Sequence, residues 1–199
     1  GGILLDMKRM DNIIEVNGKS RYAIVEAGVS QGALKGYLEK HCPHLEHSTP
    51  EAPPTVTVVG NALIQGHGHI TSRYGINSGM INGMEVVLPT GEVCKVGSCS
   101  VSPYWFTRGP LPDLPGLFIG WLGTTGIMTK LSIQLFPKPK YRDVVVFLTD
   151  NIDLIPGFIF EVTQLDLLEN FFLFGQEKPD WADHAYFVIA ISGQSEEEF

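Results

Sequence analysis

Residues 60 to 75 read GNALIQGHGHITSRYG, and the side chains there best suited to chemistry are His67 and His69, set among Gly60, Gly66, Gly68 and Gly75. Residues two apart on a strand point to one face, so this pair could offer two imidazoles to zinc or copper. A metal needs further ligands, and His41, Cys42, His44 and His47 stand at no spacing that supplies them. No metal is assigned, and the histidines are read as loop residues able to line a pocket. The glycines carry the other possibility. A dinucleotide fold needs GxGxxG after a strand and before a helix, whereas Gly66 and Gly68 are followed by Thr71, and ITSRYG does not open a helix. What remains is backbone that can approach a ligand closely because no Cβ intervenes, with amides able to hold phosphates or a polar ring edge. GWLGTTGIMT, residues 120 to 129, has the same character at the junction of a helix and a strand. NGKS at 17 to 20 does not, because Ile13 stands where a Walker loop has its first glycine; it is read as a hairpin turn.

Composition bounds the answer. The chain has 199 residues, 44% of them hydrophobic, enough for one or two domains with a core. Net charge is -8 with Lys and Arg scattered, which argues against nucleic acid as a partner. Three cysteines without a CxxC pair fit neither a disulfide framework nor a thiolate zinc site, so a reducing, cytoplasmic setting is expected. The apolar runs VVVFL and AYFVIAI fall far short of the roughly 20 residues that span a bilayer, while peripheral membrane association stays open. No secretory signal is visible. GGILLD opens without a methionine and runs straight into an apolar stretch, as in the middle of a fold, so a truncated or processed chain is expected.

The elements that must position the glycine loops can be read in order. ILLDM is strand-like, and IIEV with RYAIVEA predicts a hairpin turning at Asn17-Gly18 in a type I′ turn. Ser30 caps a short helix with Leu34, Leu38 and His41 on one face, which Pro43 ends. HCPHLEHSTPEAPP is a proline-rich connection. GMEVVLPTGEVCKVG predicts a second hairpin with Pro89 second in the turn and Gly91 at its end. Residues 98 to 110 look irregular. Asp113 caps a short helix through LPGLFIGW, and IMTKLSIQLF is a strand with Ile127, Thr129, Leu131, Ile133 and Leu135 on one side. PKPK then interrupts regular structure. Beyond it VVVFL, a helical QLDLLENFFLF and the strand AYFVIAI give a β, α, β order, which places a domain boundary near residue 140.

Four blocks carry a family likeness. VVGNALIQGHGHITSRYG, GMEVVLPTGEVCKVG, the opening GGILLDMKRMDNIIEV with AIVEAGVSQGALKGYL, and LPGLFIGWLGTTGIMTKLSIQLFPKP stand in order. Together they resemble the FAD-binding domain of the vanillyl alcohol oxidase and p-cresol methylhydroxylase family of FAD-linked oxidases, including its D-lactate dehydrogenase and glycolate oxidase type. The resemblance implies an α+β fold: an FAD-binding domain over residues 1 to 140 lacking its N-terminal pyrophosphate-loop subdomain, then the beginning of an α+β substrate or cap domain over 141 to 199. It implies FAD as cofactor. Gly28 and Val29 would lie beside it. Thr57, Gly60 and Asn61, with the backbone through Gly66 and Gly68, would line the pyrophosphate, ribityl chain and flavin. Tyr74 and Gly75 would hold the turn. Gly123, Thr124, Gly126 and Ile127 match the family's GTxGI, which meets the adenine end.

Two positions depart from the pattern. Val59 stands where many members have a glycine, and Ala52, with Glu51 beside it, stands where the phenol-oxidising branch often has an aspartate. The activity implied is hydride transfer from a small alcohol or a 2-hydroxy acid such as D-lactate or glycolate to flavin N5. Oxidation of para-substituted phenols is the alternative. Electrons would pass to oxygen, a quinone or a cytochrome. Arg73 or Arg108 could meet a substrate carboxylate, and no catalytic acid or base is assigned. The family's phosphate loop would precede Gly1 and most of its cap would follow Phe199. A non-catalytic chain that needs a partner chain or a homo-oligomer to complete the FAD site is therefore the third reading.

Overall fold

The computed structural model describes residues 4–109, 111–149, 151–174 and 185–194. The chain divides into two compact units, Gly1–Gly68 with Ile76–Lys138, and His69–Gly75 with Pro139–Phe199.

The first unit is built on strands β1 (Ile13–Asn17) and β2 (Tyr22–Glu26), helix α1 (Gln31–His41), the short strand β3 (Leu45–Glu46) and helix α2 (Val58–Leu63). It continues through β4 (Ile81–Val87), β5 (Val93–Gly97), β6 (Ile127–Gln134) and the short β7 (Phe136–Pro137). Five strands form one antiparallel sheet in the order β1-β2-β6-β4-β5, and β3 pairs with β7. The central strands are buried on both faces, so β2 carries Tyr22, Ala23, Ile24 and Val25 all at 4% exposure or less. Tyr22 and Ile24 pack with Cys99 and Trp105. Helix α2 packs on β2 and β6. Burial raises the Cys99 thiol pKa, and burial together with Glu15 raises that of the Tyr22 phenol.

Ser30 caps α1 as expected, its hydroxyl accepting from Ala33 N at 3.1 Å. Leu34 and Leu38 are buried while His41 is exposed, and the inward polar residue is Gln31, whose Oε1 lies 2.6 Å from buried His47 Nε2. The second hairpin turns as expected: Gly91 N donates to Leu88 O at 2.8 Å and Gly91 sits at φ 85. The first does not turn at Asn17-Gly18. Asn17 pairs with Tyr22, leaving residues 18 to 21 as the loop, and it is Arg21 that takes the positive φ of 53. Pairing of β2 with β6 on its other side sets that register, and Asn17 Oδ1 accepts from Ser20 N at 2.9 Å instead. Residues 4 to 7 join no ladder among the described residues. Asp113 caps a 3-10 turn, Leu114–Phe118, accepting from Gly116 N. Leu131 and Ile133 on β6 and Leu135 just beyond it are buried as expected, but so are Met128 and Ser132, because the strand is central and its pairing with β4 shifts register at Glu85/Val86.

Glu85 on β4 faces Lys130 on β6, and its Oε1 accepts from Lys130 Nζ at 2.7 Å and Thr129 Oγ1 at 2.9 Å. Burial pulls its pKa upward, and those two donors more than offset it, so the folded value lies below the ordinary 4.5. The stabilisation is therefore complete above that ordinary value and disappears as pH falls through the lowered one. Glu85→Gln is expected to lower stability by about 1–3 kcal/mol at neutral pH. Urea unfolding of both proteins at neutral and strongly acidic pH checks it: the gap between them closes in acid.

The second unit has the helical turn α3 (Thr71–Tyr74), strand β8 (Tyr141–Thr149), helix α4 (Ile155–Thr163) and strands β9 (Leu168–Phe174) and β10 (Ala185–Gly193). The strands form an antiparallel sheet in the order β8-β10-β9. Phe158, Ile159 and Val162 of α4 pack with Val145, Phe147, Ile189 and Ile191, with the rings of Phe147 and Phe158 4.8 Å apart. The helix expected in QLDLLENFFLF is absent. Asp166 at φ 54 is incompatible with a continuing helix, residues 168 to 174 pair with β10, and the helix lies one segment earlier, over IPGFIFEVT. ITSRYG, expected not to open a helix, makes the single turn α3, ended by Gly75 at φ 89. Ser72 Oγ of that turn donates to Asn170 Oδ1 at 3.2 Å. Among the described residues no helix is long and apolar enough to cross a membrane.

Candidate functional site

A cleft of about 990 Å3 opens in the first unit. Four pieces of chain wall it: residues 4 to 8, the Ala27-Gly28 turn after β2, Thr57 with Val59, Gly60 and Leu63 of α2, and the stretch from Leu122 into the start of β6. Its volume lies at the upper end of the roughly 300–1,000 Å3 usual for small-molecule and cofactor sites.

Each wall has a local cause. Thr57 Oγ1 accepts from Gly60 N at 3.1 Å and caps α2, while Val58 N donates to Val29 O at 3.0 Å and ties the helix start to the turn after β2. A Cβ on Gly60 would stand 2.6 Å from that capping oxygen. Gly28 N donates to Met10 O at 2.7 Å, and Glu26 Oε2 accepts from Asn12 N and Nδ2 at 2.9 and 2.8 Å, so the opening segment is held along the end of β2. Gly120 N donates to Leu63 O at 2.8 Å, which fastens the 120–126 loop to the end of α2. In that loop Gly120 and Gly123 sit at φ 80 and Leu122 at φ 51. Gly126 is pressed on β4, where a Cβ would lie 2.5 Å from Val86 Cγ1.

The sequence-predicted residues divide into groups. Gly28, Thr57, Gly60, Gly123, Gly126 and Ile127 line the cleft together. Val29 is fully buried and contributes its carbonyl to α2, and Thr124 Oγ1 donates to Trp121 O at 2.7 Å, holding the loop from outside. Asn61, Gly66 and Gly68 belong to a buried polar knot. Asn77 Nδ2 donates to Asn61 Oδ1 and, at 3.2 Å, to Ser48 O; Gly66 leaves room for the Asn61 side chain, and Gly68 for Ser48. The close approach these two glycines permit is thus to the protein's own side chains. Tyr74 and Gly75 lie in the second unit, where Gly75 N closes the turn on Thr71 O at 2.8 Å and Arg73 stacks on Tyr74.

His67 is exposed and His69 half-buried. No group of three metal-ligating side chains forms among the described residues. Arg108 is committed elsewhere, forked onto Asp113 at 2.7 and 2.9 Å with a further bond to Ser78 O, and Arg73 bonds Ser192 Oγ at 3.2 Å. Glu51 and Ala52 are exposed and outside the cleft, whereas Val59 lines it. Sequence reasoning missed Asp6, Lys8, Leu63, Leu122 and Met128, which come from segments far apart in the chain. The one available signal was the charged pair in LLDMK, since charge inside an otherwise apolar run asks for a reason.

A cleft of this volume, walled mostly by glycines and aliphatic side chains with the Thr57 hydroxyl at the start of a helix, fits an α+β cofactor-binding domain. Comparison with known proteins specifies the cofactor. Residues 1–97 match the family model described as FAD binding domain. Over 162 residues the chain is 36% identical to the flavoprotein subunit of 4-cresol dehydrogenase (hydroxylating) of Pseudomonas putida, covering 78% of this chain and 30% of that one. It is 28% identical over 157 residues to a glycolate oxidase subunit of Bacillus subtilis, covering 77% and 31%. The crystal structure of p-cresol methylhydroxylase with substrate bound shares the fold at a TM-score of 0.80 and 24% identity, over 98% of this chain and 44% of that one. Residues 1–97 carry an FAD-binding domain, and the chain is similar to the FAD-linked oxidases related to p-cresol methylhydroxylase, whose fold it shares. It spans about 30% of the length of these curated relatives.

Proposed function

We propose that this chain forms part of the FAD site, and the start of the substrate-covering domain, of an FAD-dependent oxidoreductase acting on a small alcohol or 2-hydroxy acid. The observation that carries the proposal is the cleft itself. Gly28, Gly60, Gly123 and Gly126 meet along it, and at Gly123 no atom lies within 4 Å of where a Cβ would stand, so a ligand can lie against bare backbone. Thr57 would direct its hydroxyl to the cofactor, and Leu63, Leu122 and Met128 would cover apolar ring surface. Bound there, FAD would supply the hydride acceptor at flavin N5. The chain's own part is to bind, orient and keep water from the flavin.

Para-substituted phenols are the second substrate reading. It is favoured by the 36% identity to 4-cresol dehydrogenase and by the engagement of Arg108 and Arg73 in protein contacts, which leaves the carboxylate of a hydroxy acid without its expected cation. One experiment separates the readings. The purified chain, mixed with FAD and freed of excess, is expected to keep the two absorption bands of an oxidised flavin. Anaerobic bleaching of those bands by D-lactate or glycolate supports the first reading, and bleaching by 4-cresol the second. A chain that stays colourless with excess FAD sinks both and leaves the third, a chain that needs a partner to complete the site.

A further inference from the structure

Among the described residues lining the cleft, Asp6 and Lys8 are the only charged side chains. We propose that Lys8 is the cofactor's phosphate clamp in this chain, its backbone held at the cleft wall by Asp6 and by the Met7–Met10 turn while its ammonium stays free to meet the anion. The inference rests on the FAD reading and adds to it the residue that recognises the anionic middle of the cofactor. Three observations lead to it.

The backbone that presents Lys8 is fixed before any ligand arrives. Lys8 N donates to Asp6 Oδ1 at 3.0 Å, Met10 N to Met7 O at 2.9 Å, and Gly28 N to Met10 O at 2.7 Å. A residue held in this way loses little backbone entropy on binding.

The ammonium itself is barely engaged. Its ion pair with Asp6 spans 3.8 Å between side chains 86% and 64% exposed, a contact of small worth in water. An ammonium has three donors and takes phosphate as a point charge.

The electrostatic setting makes one cation matter. The protein carries a net charge of -8, which repels a diphosphate approaching from solution. Glycines, aliphatic side chains and Thr57 wall the rest of the cleft, so among the described residues lining it a dinucleotide meets no other cationic side chain.

The test compares FAD dissociation constants of the wild-type chain, Lys8→Met and Lys8→Arg, by quenching of flavin fluorescence at low and high salt, with circular dichroism to confirm folding. Lys8→Met is expected to weaken FAD binding about tenfold at low salt, the scale of one partly exposed charge-assisted bond. The gap should close at high salt, where the attraction is screened. Lys8→Arg should retain most of the affinity. Equal affinity of Lys8→Met and wild type at low salt overturns the inference. So does a loss that persists undiminished at high salt, which marks packing rather than charge. A wild-type chain that takes up no FAD overturns the FAD reading, and this inference with it. Normal wild-type binding with no effect at Lys8 overturns this inference alone.

Discussion

Arg142→Met is expected to destabilise the second unit by about 3 kcal/mol, the low end of the roughly 3–5 kcal/mol seen when one partner of a buried pair is removed. Glu169 on β9 is 2% exposed, and its two oxygens accept from Arg142 Nε at 2.5 Å and from a second guanidinium nitrogen at 2.9 Å. Losing the guanidinium leaves a buried carboxylate without its counter-charge, which costs far more than the missing bonds. The low end applies because the Arg142 side chain is 28% exposed, so water reaches the pair from one side. Amide hydrogen exchange in β8 and β9 reads the effect locally, with protection expected to fall on the order of a hundredfold. Replacing both residues, Arg142→Met with Glu169→Leu, should recover most of the loss, because no unpaired charge remains. A single variant whose protection matches wild type would show that the pair is dispensable.

The same unit shows where sequence reasoning stopped. QLDLLENFFLF satisfies a helical period as well as a strand's, and period alone does not decide between them for so short an apolar run. Pairing with β10 decides it, and that information lies in the partner strand. Features whose chemistry is local were legible: the Ser30 cap, the Pro89 and Gly91 turn and the Asp113 cap all form as their residue types require. Asn17-Gly18 failed for the opposite reason, since β6 dictates the register of β2 and moves the turn to Arg21. The glycines of residues 60 to 75 were legible as places of close approach, but what approaches two of them, away from the cleft, was not. At Gly66 it is Asn61 and at Gly68 it is Ser48. Asp6 and Lys8 went unread because they gain meaning only when the opening segment is laid against the turn after β2, across the 19 residues of chain between Lys8 and Gly28.

That junction carries the last expected result. Gly28→Ala should destabilise the first unit by about 2–4 kcal/mol, combining an overpacked contact with a lost hydrogen bond. The added Cβ would stand 2.4 Å from Met7 O and 2.8 Å from Met10 O. Both are backbone atoms that cannot turn aside as a side chain can, so residues 7 to 10 must move away and the Gly28 N to Met10 O bond must stretch. Those residues carry one wall of the cleft, so FAD affinity should fall by more than the loss at Lys8 alone, with little relief from salt. Gly36→Ala is the matched control. It lies inside α1, nothing stands within 4 Å of its added Cβ, and alanine is the better helix former by up to about 1 kcal/mol. Urea unfolding of the two variants should therefore shift in opposite directions. If Gly28→Ala unfolds with the wild type, the turn after β2 is not what holds the cleft wall, and the opening segment must be anchored through Asn12 and Glu26 instead.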